Sequence, residues 1–129
     1  TFHRAFDGVI DPFESLNEII RLGFDRILTS GQSENAMKGS EMLRRLIDTA
    51  KDRIIIVPGA GVNENNAFDI LNSTGAKELH GSAKRRVSMP FRGKLDVTTG
   101  SNDTSNEIFV TDANIVRQIV SIVSQFTTR

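Results

Sequence analysis

The chain has 129 residues and no cysteine, and its 16 basic residues balance its 16 acidic residues. This length is enough for one domain, and the balanced charge excludes a global field that would draw nucleic acid or a membrane surface to the protein. The absence of cysteine excludes a disulfide framework and is typical of a cytoplasmic protein, and no apolar run approaches the roughly 20 residues that span a bilayer.

Four helices are predicted from capping residues and from apolar side chains at helical spacing. Asp11 is the expected N-cap of the first, followed by Pro12 at a favourable first position, and Asn63 and Asp112 are the expected caps of the third and fourth. Glycines after the first and third helices favour their termination there. The predicted helices cover about residues 12–22, 34–50, 64–72 and 113–126.

Four short strands are predicted between these helices, and each ends in polar or glycine-rich sequence. They are residues 2–6, 26–28, 54–57 and 77–79. Their starts lie roughly 25 residues apart, a spacing that fits a repeated strand–helix unit. Residues 54–57 are apolar throughout, which is typical of a parallel strand covered on both faces. Because ligands bind at the carboxyl ends of parallel strands, the four polar strand ends are expected to converge on one site.

Periodicity alone allows either an open doubly wound sheet or half of an eight-stranded barrel. The first strand is apolar and has no lysine to guard a free edge, which favours the half-barrel. The sequence also begins inside this predicted strand, so we expect it to be the C-terminal half of a longer protein.

The regular pattern fails between residues 84 and 108, and residues 98–106 are predicted to form a mobile loop. The run from Lys84 to Arg86, with Arg92 and Lys94, is basic. It has two interpretations, a solvated surface or a loop that draws anions toward the strand ends.

The strand-end motifs resemble the second half of the CutC family, which is named for copper homeostasis. They are TFHRAFD at residues 1–7, RILTSG at 26–31, PGAGV at 58–62 and ELHGSA at 78–83. The resemblance implies an α/β fold of the (β/α)8 TIM barrel family. Residues 1–129 would then be a single α/β domain that supplies about strands five to eight with their helices. It also implies a cytoplasmic, oligomeric protein, and it defines no reaction.

Glycines at two of the strand ends point to an anion site. Small residues there let backbone N–H groups approach an anion, and the loops after strands seven and eight are the usual phosphate site of such barrels. The alternative is that these turns are glycine-rich only because strand–helix turns need small residues. The candidate anion-binding residues are Ser30, Gly59, Gly61, Gly81 and Ser82.

Two histidines and an aspartate are the candidates for acid–base chemistry, namely His3, Asp7 and His80. If residues 2–6 form a strand, His3 and Arg4 point to opposite faces. We place His3 toward the barrel mouth and expect Arg4 to pair with an acid such as Asp7 or Asp25. Asp7 itself could be a base, a ligand or a loop cap.

Copper is a possible cofactor, for which His3 and His80 are weak candidate ligands. Copper(I) prefers thiolate and thioether ligands, and this chain has no cysteine. Met37, Met42 and Met89 are better explained by packing. Any thiolates would have to come from the other half of the protein.

The sequence therefore favours a CutC-like copper homeostasis protein with a ligand site at the C-terminal ends of the barrel strands. The alternative is a TIM-barrel enzyme that acts on a small phosphorylated or carboxylated metabolite, so whether the protein is an enzyme stays open. The expected partners are a small anion or a metal ion and further copies of the chain, with neither nucleic acid nor a membrane.

Overall fold

The computed structural model describes residues 1–88 and 107–127, which form a mixed α/β fold. A short 3₁₀ helix, Arg4–Gly8, opens the chain. The longer elements are α1 (Pro12–Arg21), β1 (Arg26–Thr29), α2 (Ser40–Ala50), β2 (Ile55–Pro58), α3 (Ala67–Thr74), β3 (Lys84–Ser88), β4 (Glu107–Thr111) and α4 (Ala113–Thr127).

The first and last helices begin where their caps predict. The Asp11 carboxylate accepts hydrogen bonds from the backbone N–H groups of Phe13 and Glu14, at 3.0 and 3.1 Å. Asp112 accepts in the same way from the second and third residues that follow it. Each carboxylate satisfies N–H groups that the first helical turn leaves without partners, so both N-terminal predictions are confirmed.

The two middle helices begin later than predicted. The Asn35 side chain accepts from the Lys38 N–H, so residues 34–39 form turns and α2 starts only after Gly39. Asn63 likewise accepts from the N–H groups of the second and third residues after it, and α3 starts at Ala67. Asparagine side chains compete with the helix for backbone donors, which explains why the predicted starts at residues 34 and 64 are wrong.

The first sheet is built on two parallel strands, β1 and β2. β1 and β2 pair from Arg26 opposite Ile55 to Thr29 opposite Pro58, which confirms the second and third predicted strands to within a residue. Phe2 joins the other edge of β1, since its N–H donates to the Arg26 carbonyl and its carbonyl accepts from Leu28 N–H, each at 2.8 Å. These segments lie side by side in chain order and run in the same direction.

Residues 2–6 and 77–79, predicted as the first and fourth strands, do not form regular strands, so these two predictions are wrong. Only Phe2 of residues 2–6 pairs with the sheet, as an isolated bridge, because the chain then turns into the 3₁₀ helix. The His3 ring caps that turn by accepting from the Ala5 N–H at 2.9 Å. Residues 77–79 are not in a strand, although the next residue, His80, donates its N–H to the Pro58 carbonyl at 2.9 Å.

The predicted irregular segment contains a second sheet. β3 pairs antiparallel with β4, from Lys84 opposite Thr111 to Ser88 opposite Glu107. Lys84 and Arg86 lie over the Phe109 ring, which helps to explain why this basic run forms a strand. The predicted mobile loop at 98–106, together with Arg92 and Lys94, lies outside the described residues.

The core lies between the parallel pair and helices α1 to α3. Its largest fully buried apolar side chains include Phe6, Leu16, Ile27, Leu43, Leu46 and Ile70. Ile55 is 37% exposed, so the expectation that β2 is covered on both faces fails at its first residue. Within the two described ranges, no helix combines the length and apolar character needed to cross a membrane.

Candidate functional site

A cleft of about 450 Å³ opens beyond the carboxyl ends of the parallel strands. We call it the strand-end cleft. It is lined by Arg4, Leu28, residues 60–65, residues 80–82 and Lys84. The first predicted segment, the loop after β2, the segment of His80 and the hairpin each supply polar residues to it, as expected from the sequence, but β1 supplies only Leu28 and its polar end does not line the cleft.

Arg4, and not His3, reaches the cleft, so the predicted directions of these two side chains are wrong. The prediction assumed strand alternation, but the chain turns at His3, whose ring caps the 3₁₀ helix. Arg4 Nε donates to Asp7 Oδ2 at 2.8 Å, and Nη2 donates to Ser30 Oγ at 3.2 Å. The predicted ion pair of Arg4 is thus confirmed with Asp7, and the alternative partner Asp25 is not used.

Asp7 acts as the cap of the loop after β1. Its Oδ1 accepts from the Thr29 hydroxyl and from the N–H groups of Ser30 and Gln32, at 3.1 and 3.2 Å for the two N–H groups. Its side chain is 12% exposed, whereas that of its partner Arg4 is 47% exposed. Of the three roles left open for Asp7, the observed contacts match the loop cap.

These contacts also set the charge state of Asp7. Burial raises the pKa of the carboxyl, but hydrogen bonds from Thr29, Arg4 and the two backbone N–H groups outweigh burial and hold the pKa below its usual value. Because the folded-state pKa is lowered, the carboxylate contributes stability that is present above its ordinary pKa and is lost as the pH falls through the lowered one. Asp7 is therefore an anion at neutral pH and poorly suited to act as a base.

Two of the candidate anion-binding residues lie beside the cleft and not in its lining. Ser30 is fully buried, and its hydroxyl donates to the Ser33 carbonyl at 2.6 Å while it accepts from Arg4. Gly59 is buried where a Cβ would lie 2.5 Å from a Leu28 methyl carbon. Both positions are explained by close packing and internal hydrogen bonding.

The other candidates do line the cleft, namely Gly61, His80, Gly81 and Ser82. Gly61 has a φ of +70°, a left-handed conformation that favours glycine, and its carbonyl accepts from the Asn66 side chain at 2.8 Å. A Cβ on Gly81 would lie 3.1 Å from the Val62 carbonyl oxygen. The lack of a side chain at Gly81 therefore lets its backbone pass close to that of Val62, another residue of the cleft lining.

Sequence reasoning left three charged cleft residues out of the site, namely Arg4, whose direction was predicted wrongly, Lys84 and Glu64. Lys84 belongs to the basic run, for which attraction of anions toward the strand ends was one of two interpretations. Its position two residues after Ser82 was the available signal. Glu64 was assigned to the start of a helix and carried no signal for the site.

The described residues do not fit a copper site. Nowhere in residues 1–88 and 107–127 do three or more histidine, aspartate or glutamate side chains come together in a way that could hold a metal ion. The whole sequence has no cysteine to supply a thiolate. Met42 packs against the core, as expected for a methionine with a packing role, whereas Met37 is 40% exposed.

Fold and cleft together define an α/β protein with a cleft at the carboxyl ends of parallel strands. The profile of the CutC family matches residues 1–85. The chain belongs to the CutC family.

Individual relatives agree with this assignment. A CutC family protein of Histophilus somni is 42% identical over 98% of this chain and 51% of its own length. The human copper homeostasis protein cutC homolog is 42% identical over 95% of this chain and 46% of its own. The crystal structure of CutC from Streptococcus agalactiae has a TM-score of 0.59 at 37% identity, over 62% of this chain and 40% of that one. The chain spans about half the length of the curated relatives it matches.

Proposed function

We propose that this chain contributes to copper homeostasis as the C-terminal part of a cytoplasmic (β/α)8 barrel, with a ligand site at the C-terminal ends of the barrel strands. The copper role is supported by family membership and by the names of relatives such as the human homolog. The barrel is supported by parallel segments that follow one another in chain order and by a chain that spans about half of its relatives. Strands five to eight would correspond to the segments that begin at Phe2, β1, β2 and the segment of His80.

The ligand proposed for the strand-end cleft is a small anion such as phosphate or a carboxylate. One observation carries this proposal: Arg4, Lys84 and the glycine turns at Gly61 and Gly81 line the same cleft. A guanidinium matches the geometry of phosphate and carboxylate oxygens, and glycine lets backbone N–H groups come close to them. The cleft also contains His80, so it offers several donors to an anion.

Copper itself is proposed to be handled by residues outside this cleft. Copper(I) would need thiolates or thioethers, and the donors in the cleft lining are nitrogen and oxygen. The enzyme alternative would use the same cleft, but the relatives are named for copper homeostasis, so we do not favour it. We also propose that the protein acts as an oligomer, which is supported by the exposed apolar side chains outside its core.

Phosphate-dependent thermal unfolding tests the anion site. At ten times the dissociation constant, a bound ligand adds about 1.4 kcal/mol to the stability, which raises the melting temperature by roughly 3 to 8 °C in a domain of this size. Gly61→Val should abolish the rise because the side chain would crowd the cleft lining.

Gly23→Val is the matched control, since Gly23 also has a left-handed φ, +88°, and a Cβ there meets nothing within 4 Å. Both variants carry backbone strain, but Gly23 is not part of the cleft lining. The control should melt at a lower temperature and keep the full phosphate shift. A full shift in Gly61→Val, or no shift in the wild-type chain, would contradict the proposed site.

A further inference from the structure

We propose that Asp7 is a positioning residue. Together with Ser30 it holds the Arg4 guanidinium in the strand-end cleft, so that the remaining N–H donors of Arg4 are directed to the ligand. The inference rests on the anion-binding function proposed above and adds to it the group that makes the binding directional. Asp7 is not itself part of the cleft lining, so its effect on the ligand would pass through Arg4.

Two of the three guanidinium nitrogens of Arg4 are held by the protein. Nε donates to Asp7 and Nη2 donates to Ser30. Within the described part of the chain, Nη1 has no protein acceptor, so its two protons and the second proton of Nη2 are left for a ligand. A guanidinium fixed at two nitrogens keeps its plane and direction, unlike an arginine on a flexible stem.

Asp7 and Ser30, which hold Arg4, are themselves fixed by further hydrogen bonds. Asp7 accepts from the Thr29 hydroxyl and from the N–H groups of Ser30 and Gln32. The Ser30 hydroxyl donates to the Ser33 carbonyl, which leaves an oxygen lone pair to face Arg4. The orientation of Arg4 is therefore set before any ligand arrives, which lowers the entropy lost on binding.

The charges near the cleft nearly cancel, so the orientation of the hydrogen-bond donors matters more for anion binding than the net charge. Arg4 is offset by Asp7, and Lys84 shares the cleft with Glu64. A cleft with nearly balanced charge holds an anion through placed hydrogen bonds and not through bulk attraction.

The direction of the change in phosphate affinity in one variant therefore distinguishes a positioning role from an effect of charge. Asp7→Asn removes a negative charge close to the cleft, and by charge alone it should strengthen phosphate binding. The asparagine Oδ1 can still accept from Ser30 and Gln32, which preserves the loop, but its amide cannot accept from Arg4 as the carboxylate does. A positioning role for Asp7 therefore predicts that Asp7→Asn binds phosphate about tenfold more weakly, because a charge-assisted hydrogen bond that orients the guanidinium is lost.

Glu64→Gln is the matched control, since it removes a negative charge from the cleft lining, and the side-chain hydrogen bonds of Arg4 go to Asp7 and Ser30 and not to Glu64. It should strengthen phosphate binding by about twofold. In an Arg4→Gln background, Asp7→Asn should weaken binding no further, because both changes act through one group.

The experiment measures phosphate affinity calorimetrically for the 129-residue chain and these variants, and follows the Arg4 Nε–H signal by ¹⁵N NMR without phosphate. We expect a slowly exchanging Nε–H in the wild type that exchanges faster in Asp7→Asn. If Asp7→Asn does not fold, Ser30→Ala removes the other holder and should also weaken binding.

Phosphate binding by Asp7→Asn that equals or exceeds that of the wild type would overturn the positioning role and leave the proposed function standing. If the wild type binds no phosphate, the anion-binding function fails, and the Nε–H signal alone decides whether Asp7 holds Arg4. An Nε–H that exchanges equally fast in both proteins would overturn the positioning role.

Discussion

The strand-end side of the molecule and the side formed by the hairpin and α4 are built differently. Around the strand ends, polar groups are buried but paired: Thr29 and Ser30 are fully buried, and throughout the described residues no buried side-chain polar atom lacks a hydrogen-bond partner. On the hairpin and α4, apolar side chains are exposed, including Ile108 at 45%, Phe109 at 56% and Val120 at 56%. The first region is specified by contacts within the chain. The second carries apolar surface that the described residues do not cover, as is typical of an interaction surface.

The largest effect on stability is expected in the loop that carries Ser30. A Cβ on Gly39 would lie 1.8 Å from the Ser30 carbonyl oxygen and 3.1 Å from the Gly31 Cα. Gly39→Ala should therefore force backbone apart and lower the free energy of unfolding by about 2–4 kcal/mol. Chemical denaturation measures this loss.

Gly8→Ala is the control for that experiment, because a Cβ on Gly8 would meet nothing within 4 Å. It should change the free energy of unfolding by less than about 0.5 kcal/mol. Equal stability of the two variants would show that the contact between Gly39 and Ser30 does not hold the strand-end side together.

A substitution on the exposed surface of α4 is expected to affect stability less and self-association more. Val120→Ser replaces an exposed valine, so the free energy of unfolding should change by less than about 0.5 kcal/mol. If the uncovered surface mediates self-association, the wild-type chain should sediment as a dimer or larger species at micromolar concentration, and the variant should dissociate more readily. A compact wild-type monomer with cooperative unfolding would contradict this view of the α4 side.

Elements with local signals were predictable from the sequence. Asp11 and Asp112 cap helices by contacts two and three residues away, and the apolar run of β2 marks a strand regardless of its surroundings. The 3₁₀ turn at Arg4 was not predictable, because Phe2 and Phe6 lie four residues apart and would share one face of a strand. The hairpin was missed because its pairing joins segments separated by a long polar stretch.

The candidate site was partly predictable for the same reason. The glycine turn at Gly61 and the segment of His80 follow strand-like sequence, and both line the cleft. The contributions of Arg4 and Lys84 depend on a turn and on a long-range strand pairing. Local sequence patterns could therefore locate the cleft without identifying which cations line it.

The central claim is that these residues form an anion site and do not form a copper site. Titration of the 129-residue chain with copper(I), in competition with a chelator of modest affinity, tests it most directly. Without thiolates the chain should lose copper(I) to that chelator, and phosphate should still raise its melting temperature. Stoichiometric copper(I) that stays bound against a strong chelator, in a chain whose melting temperature does not respond to phosphate, would contradict the account.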